Sequence, residues 1–230
     1  MEWFKKLWSH PQKFGEQDWV RAQVIAKELV EVAQLKPGTK ILDMACGQGL
    51  TTIALSLFNF QIEGRDYSQP MLDFAAEHCK EHKVKVQFSC QDMRTVTDQQ
   101  TFDVVMLRDV IWGIFDKETN RDLLRRLKTA LKPNGKIILE VYNKSAAIEQ
   151  QPLEGFLTVD LAMSRLTGKA PSQNGGEETT ISVEILSSSE WLEVMSKIGF
   201  SNVQVVPILP YRKKGLDAAS SLINLVIGTN

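Results

Sequence analysis

The chain has 230 residues, of which 43% are hydrophobic and 24% charged, and its formal net charge is −1. That is enough for one α/β domain with additions and a substantial core, without the basic excess that a nucleic-acid surface needs. No stretch approaches the roughly 18 to 20 apolar residues that span a bilayer, which excludes an integral membrane protein, and residues 1–14 lack the apolar run of a secretion signal. Cys46, Cys79 and Cys90 form no paired framework, which predicts a reducing, cytoplasmic setting.

Residues 1–36 are rich in aromatics (Trp3, Phe4, Trp8, Phe14, Trp19) and continue into a pattern with Val20, Val24, Ile25, Leu29 and Val32 at helical spacing. This predicts an amphipathic helix packed on a sheet, anchored by the aromatics and ended by Pro37-Gly38. Residues 40–50 then read as a strand, a tight turn and a helix start. Ile41 and Leu42 suit a buried strand, while Ala45, Gly47 and Gly49 let a ligand reach the backbone. Unpaired amides at the following helix start favour an anionic group. A dinucleotide fingerprint, Gly-x-Gly-x-x-Gly, would need a small residue where Leu50 stands, and Gly49 falls one position early. A nicotinamide oxidoreductase is therefore disfavoured.

Residues 50–58 predict a short helix and residues 61–66 a second strand ending in Asp66, at the spacing from Asp43 where a nucleotide-binding βαβ unit places a carboxylate on ribose hydroxyls. Ser68 and Pro70 then cap a helix over residues 70–83. His78 and His82 share a face of it, but with no His-Glu-x-x-His pattern they read as solvated histidines rather than metal ligands. Residues 84–90 alternate as a third strand leading into Asp92 and Met93. A fourth, residues 102–109, is apolar in its middle and charged at the end that borders a ligand crevice in an open parallel sheet. Arg108 there reads either as a ligand contact or as half of a salt bridge. Residues 110–115 supply bulk, including Trp112, to wall such a site.

A leucine-faced helix over residues 118–131 stops at Lys132-Pro133-Asn134-Gly135, and residues 136–142 form a fifth strand. Residues 153–166 predict a helix, residues 168–180 a loop, and Ile181, Val183 and Ile185 a short strand. Ser189 is expected to cap a helix ending at Gly199, with closing strands over residues 203–209 and 222–227.

Asp43-x-Ala45-x-Gly47-x-Gly49 resembles the first motif of the class I S-adenosylmethionine-dependent methyltransferases, with Ala45 in place of the first glycine. Residues 64–72 resemble the second motif, and residues 131–136 a turn common in the family. The resemblance implies a three-layer, doubly wound α/β fold (Rossmann-like), with seven strands in order 3-2-1-4-5-7-6 and strand 7 antiparallel. It implies one domain: an N-terminal flap (residues 1–36), a cofactor-binding core (37–142), an acceptor-side insertion (143–188) and a closing helix and strands (189–230). S-adenosylmethionine would be held by Asp43, Ala45, Cys46, Gly47 and Gly49, with Asp66 on the ribose and Tyr67 and Met71 beside the adenine. Asp92 and the Met93 amide would meet the adenine edge, and Leu107, Arg108 and Trp112 the methionine portion.

The implied reaction is in-line methyl transfer to an O, N or C nucleophile of a small molecule, releasing S-adenosylhomocysteine. Positioning dominates such a displacement, so a dedicated base is optional; His10, Asp109 and Tyr142 are the candidates. The alternatives are a non-catalytic cofactor-binding protein and a methyltransferase acting on protein or RNA, in a monomer or homodimer. In the family, N-terminal segments often fold over the cofactor and acceptor, and an aromatic flap formed by this chain's N-terminus would exclude water.

Overall fold

The period-2 pattern of the strands becomes two apolar layers in the computed structural model, which describes residues 2–7, 11–150, 157–170, 178–208 and 221–230. Strands β1 (Lys40–Met44), β2 (Gln61–Asp66), β3 (Gln87–Cys90), β4 (Phe102–Leu107), β5 (Leu131–Tyr142), β9 (Ser201–Ile208) and β10 (Ile223–Thr229) form one sheet in order β3-β2-β1-β4-β5-β10-β9. β10 runs antiparallel to both neighbours, and β1 to β5 are parallel. This is the order that the resemblance implies.

Alternation sorts the side chains by face. Ile41, Val104, Met106, Ile138, Leu225 and Ile227 pack beneath α2 (Glu16–Val32) and α3 (Leu50–Ser56). Their neighbours Leu42, Val105, Leu107, Ile137, Leu139 and Val226 pack on the other face against α5 (Lys117–Ala130) and α7 (Ser188–Ile198). Both faces are covered, as a parallel sheet requires.

Several local expectations are corrected. In α2 the buried face is Ala22, Ile25, Ala26 and Leu29, while Val20, Val24 and Val32 are exposed; small residues let the helix lie close to α3, so the buried stripe is narrow. β3 begins at Gln87, not Val84, and β5 already at Leu131, upstream of the Pro133-Asn134-Gly135 turn. In α4 (Gln69–Glu81), Ser68 occupies the N-cap position, but its side chain makes no cap bond. The cap of α7 is Ser187, in a reciprocal capping box with Glu190, rather than Ser189.

The helix expected over residues 153–166 is replaced by β6 (Leu157–Asp160), which pairs antiparallel with β7 (Arg165–Ala170) and through it with β8 (Thr179–Glu184); residues 151–156 lie outside the described ones. Thr158, Val159 and Thr167 favour strand, and antiparallel pairing overrides the helical spacing of the leucines. Leu157, Leu166, Ile181 and Val183 attach this second sheet to the main core. It follows a short helix, α6 (Lys144–Glu149), while at the other end of the chain α1 (Trp3–Leu7) lies against β8.

Candidate ligand-binding rim

The C-terminal ends of β1, β2, β3 and β4 lie side by side, and the turns that leave them form one rim. Cys46 N–H donates to the Arg65 carbonyl at 3.1 Å, and Gln91 N–H to the Asp66 carbonyl at 2.9 Å, tying the three turns after β1, β2 and β3 together. In the first turn Ala45, Gly47 and Gly49 take left-handed φ values of 57°, 55° and 70°. A Cβ on Gly47 would meet nothing within 4 Å, whereas one on Gly49 would come 2.5 Å from the Phe88 ring. Gly47 therefore leaves its backbone open to an incoming group, and Gly49 is small because β3 packs behind it. Cys46 is half-buried near Asp43 and Asp66, and burial foremost pushes its thiol pKa well up, which disfavours the thiolate.

The acids have different surroundings. Asp43, buried at the end of β1, accepts the Thr52 hydroxyl at 2.5 Å; burial outweighs that bond and the nearby Arg108 charge and pushes its pKa up to about 7. Asp66 is also buried, not peripheral: its carboxylate accepts the Gly47 amide at 2.9 Å and the Ser68 amide at 2.8 Å. Burial raises its pKa, and these amides oppose the rise. Each oxygen receives one of these bonds and keeps a lone pair for a further donor. Asp92 caps a single 3₁₀ turn, Met93–Thr95, and is gripped by Arg94 at 2.6 Å, which holds its pKa down. Met71 and Met93 are buried near the rim, on the first turn of α4 and on this 3₁₀ turn.

After β4 the expectation divides. Leu107 is fully buried beside Met44. Arg108 turns into the protein: its guanidinium donates to Glu140 at 2.8 Å and to Thr51 at 3.0 Å, forming the expected salt bridge and tying β4 to β5 and α3. Trp112 is likewise a correction. Its ring is buried against Trp191, centroids 4.4 Å apart, with the Arg121 guanidinium 5.4 Å from its centroid, and it belongs to the core rather than to the wall of a crevice. Asp109 is exposed, and it and Val110 both have left-handed φ, 54° and 52°. A β-branched residue in that region is strained, and such strain clusters at functional turns. Tyr142 is half-buried at the end of β5.

The aromatic N-terminus reaches this rim. Phe4 is buried edge-on to Tyr67 and Phe115, with centroids at 5.9 and 5.4 Å, and its carbonyl accepts the Tyr67 hydroxyl at 3.2 Å. Burial pushes the Tyr67 pKa up to about 12. Glu2 pairs with Arg94 at 2.7 Å, and Arg94 lies 4.7 Å from the centroid of Phe115. Farther along, Gln48 of the glycine turn donates to the Gln12 carbonyl and accepts the Phe14 amide. His10 lies outside the described residues. Thr52 and Gln48 did not emerge from the sequence as site residues, and Phe4 only as one of the N-terminal aromatics; the position of Gln48 between two glycines was its one signal.

Residues 41–135 match the family model described as a methyltransferase domain. Among curated proteins, phosphoethanolamine N-methyltransferase of Triticum aestivum is 38% identical over 132 residues, 56% of this chain and 25% of that protein, so the chain spans about a quarter of that relative's length. A protein of Pyrococcus horikoshii superposes with a TM-score of 0.70 over 94% of this chain and 92% of that one, at 19% identity. An S-adenosylmethionine-dependent methyltransferase of Clostridium acetobutylicum superposes with a TM-score of 0.66 over 99% and 95%, at 16% identity.

Proposed function

We infer that this chain, which carries a methyltransferase domain over residues 41–135 within a class I methyltransferase fold, transfers a methyl group from S-adenosylmethionine to a small-molecule nucleophile. The observation that carries this reading is the convergence of Asp43, Asp66, Asp92 and the open backbone at Gly47 on one rim of the sheet. The relative named for phosphoethanolamine supports a small acceptor.

The donor set fits the cofactor. Ribose hydroxyls are donors that the remaining lone pairs of Asp66 can accept, and Asp92 can accept from an adenine amino group while Met93 presents its backbone amide. Tyr67 and Met71 offer the apolar contact that a purine needs, Ala45, Cys46, Gly47 and Gly49 the backbone surface, and Leu107 a dry floor. Arg108 and Trp112 act from behind, holding β4 and its strained turn in place. The sulfonium supplies an already activated methyl carbon. The protein's task is then alignment, worth on the order of 7 to 11 kcal/mol, against about 10²- to 10⁴-fold for a base.

Of the three candidates for orienting or deprotonating an acceptor, Asp109 follows β4 and Tyr142 ends β5, and His10 lies outside the described residues. Of residues 1–36, α2 stays packed on the sheet and the segment carrying α1 acts as the flap: with Phe4 lodged between Tyr67 and Phe115, α1 must lift for ligands to enter and close again to exclude water. The insertion that carries β6 to β8 frames the acceptor side. No helix among the described residues is long and apolar enough to cross a membrane, and the three free cysteines suit a cytoplasmic setting.

Incubation with methyl-labelled cofactor and a pool of small metabolites is expected to yield labelled product, and Asp66→Asn to lower turnover at limiting cofactor at least about tenfold. Binding of cofactor with no transfer to any fraction would instead identify a non-catalytic binding protein. Labelling confined to protein or RNA would replace the acceptor class.

A further inference from the structure

His78 in α4 and His82 at its C-cap are not free in solvent. His78 is buried on the helix face that also carries Met71, Leu72 and Ala75, and His82 stacks on Trp19, centroids 3.6 Å apart and planes 19° from parallel. Together with Glu81 they border a cavity of about 530 Å³ between α4 and the start of α2, also lined by Phe14, Trp19 and Leu50. One ligand atom from each of His78, Glu81 and His82 lies within 4.8 Å of the others.

Gln48 turns an acceptor toward the buried ring of His78. Its Nε2 donates to the Gln12 carbonyl at 2.6 Å, so its Oε1 points the other way, accepting the Phe14 amide at 2.9 Å and facing His78 Nε2 at 3.4 Å. An acceptor there places the ring proton on Nε2. The lone pair on Nδ1 is then aimed at Glu81 Oε2, 3.0 Å away, and a carboxylate can only accept. Two acceptors in contact are reconciled either by a second ring proton or by a metal ion between them. Metal-bound histidines are held in this way, by a hydrogen bond from the ring N–H that does not face the metal.

We propose that His78 Nδ1, Glu81 and His82 form a binding site for a divalent transition metal, zinc-like in its preference for two imidazoles and a carboxylate, which pins residues 12–14 beside the glycine turn. With metal–ligand bonds of about 2.0–2.2 Å, tetrahedral ligand atoms lie roughly 3.3 Å apart. The His78–Glu81 separation is already close to that, and Glu81, half exposed, needs only a rotamer adjustment. Lys13 holds the other Glu81 oxygen at 2.6 Å and also Glu77 at 2.7 Å, so it retains a partner when the metal takes Oε2. The fourth position opens into the cavity. The metal acts on the N-terminal segment through Gln48, and the proposal is independent of the cofactor reading.

The test uses the full chain, stripped with chelator and titrated with Zn²⁺ by calorimetry and with Co²⁺ by visible absorption. One ion per chain is expected, with Co²⁺ giving the intense bands of a four-coordinate site. Glu81→Gln and His82→Ala, both on partly exposed side chains, should each weaken Zn²⁺ binding at least about tenfold. Zn²⁺ should also slow hydrogen exchange at the Phe14 amide, and fail to do so in the double variant. Equal affinity in the double variant, or no binding at millimolar Zn²⁺ with a doubly protonated His78 ring by nitrogen NMR, would overturn the site. Tight binding without a change at Phe14 would overturn the pinning role.

Discussion

Asp43 is held in a pocket that favours its neutral form. Its pKa rises from 3.8 to about 7, so between those values the folded state binds more protons than the unfolded chain, and stability falls as pH rises through that window. Asp43→Asn keeps an acceptor for Thr52 and has no charge to bury. The variant should therefore match the wild type near pH 4 and exceed it above pH 7, by an amount on the order of a few kcal/mol. Denaturant unfolding of both proteins across this range checks it; parallel curves would show that Asp43 ionises freely. Ala45 sits in the same turn at a φ of 57°. Relief of about 1–2 kcal/mol of left-handed strain competes with about 0.4–1 kcal/mol of added unfolded-state entropy, so Ala45→Gly should gain up to about 1.6 kcal/mol. A lower Tm would mean that the methyl group packs usefully.

At the scale of elements, α1 decides between a lid and ordinary packing. Phe4 is as buried as many core side chains, yet it belongs to a five-residue helix held by Glu2–Arg94, Tyr67 and Phe115. So short a helix has little stability of its own, and its detachment need not unfold the sheet. Phe4→Ala should lower Tm far less than Phe102→Ala, which cuts the core beneath β4, while reducing turnover more than cofactor affinity. Equal losses of Tm would make α1 part of the core. The elements also show where sequence patterns end. Strands β1, β4 and β10 were legible because each face of the sheet takes every second residue. The leucines of residues 157–166 mimicked a helix because short apolar runs do not distinguish the two periods, and long-range pairing of β6, β7 and β8 decided the outcome.

For the whole molecule, the sheet order followed from the motif resemblance, and the rim followed from the order, since parallel strands put all their carboxyl ends on one edge. What stayed hidden was the partner of each polar group. Arg108 could not be separated from a ligand contact without Glu140, which is distant in sequence and adjacent in space. Trp112 needed Trp191 to reveal it as core, and His78 needed Gln48 and Glu81 to reveal it as buried. Asp66 sits at the expected place, but it also secures the glycine turn, so its loss should cost stability as well as affinity. The proposed function rests on a carboxylate-lined rim that would hold an adenosyl compound through hydroxyl, amino and backbone contacts. Its most direct test is calorimetric titration of the full chain with S-adenosylhomocysteine. We expect one site per chain, weakened at least about tenfold in Asp66→Asn under conditions where that variant is folded. Absence of binding at millimolar ligand, or equal affinity in the variant, would contradict it.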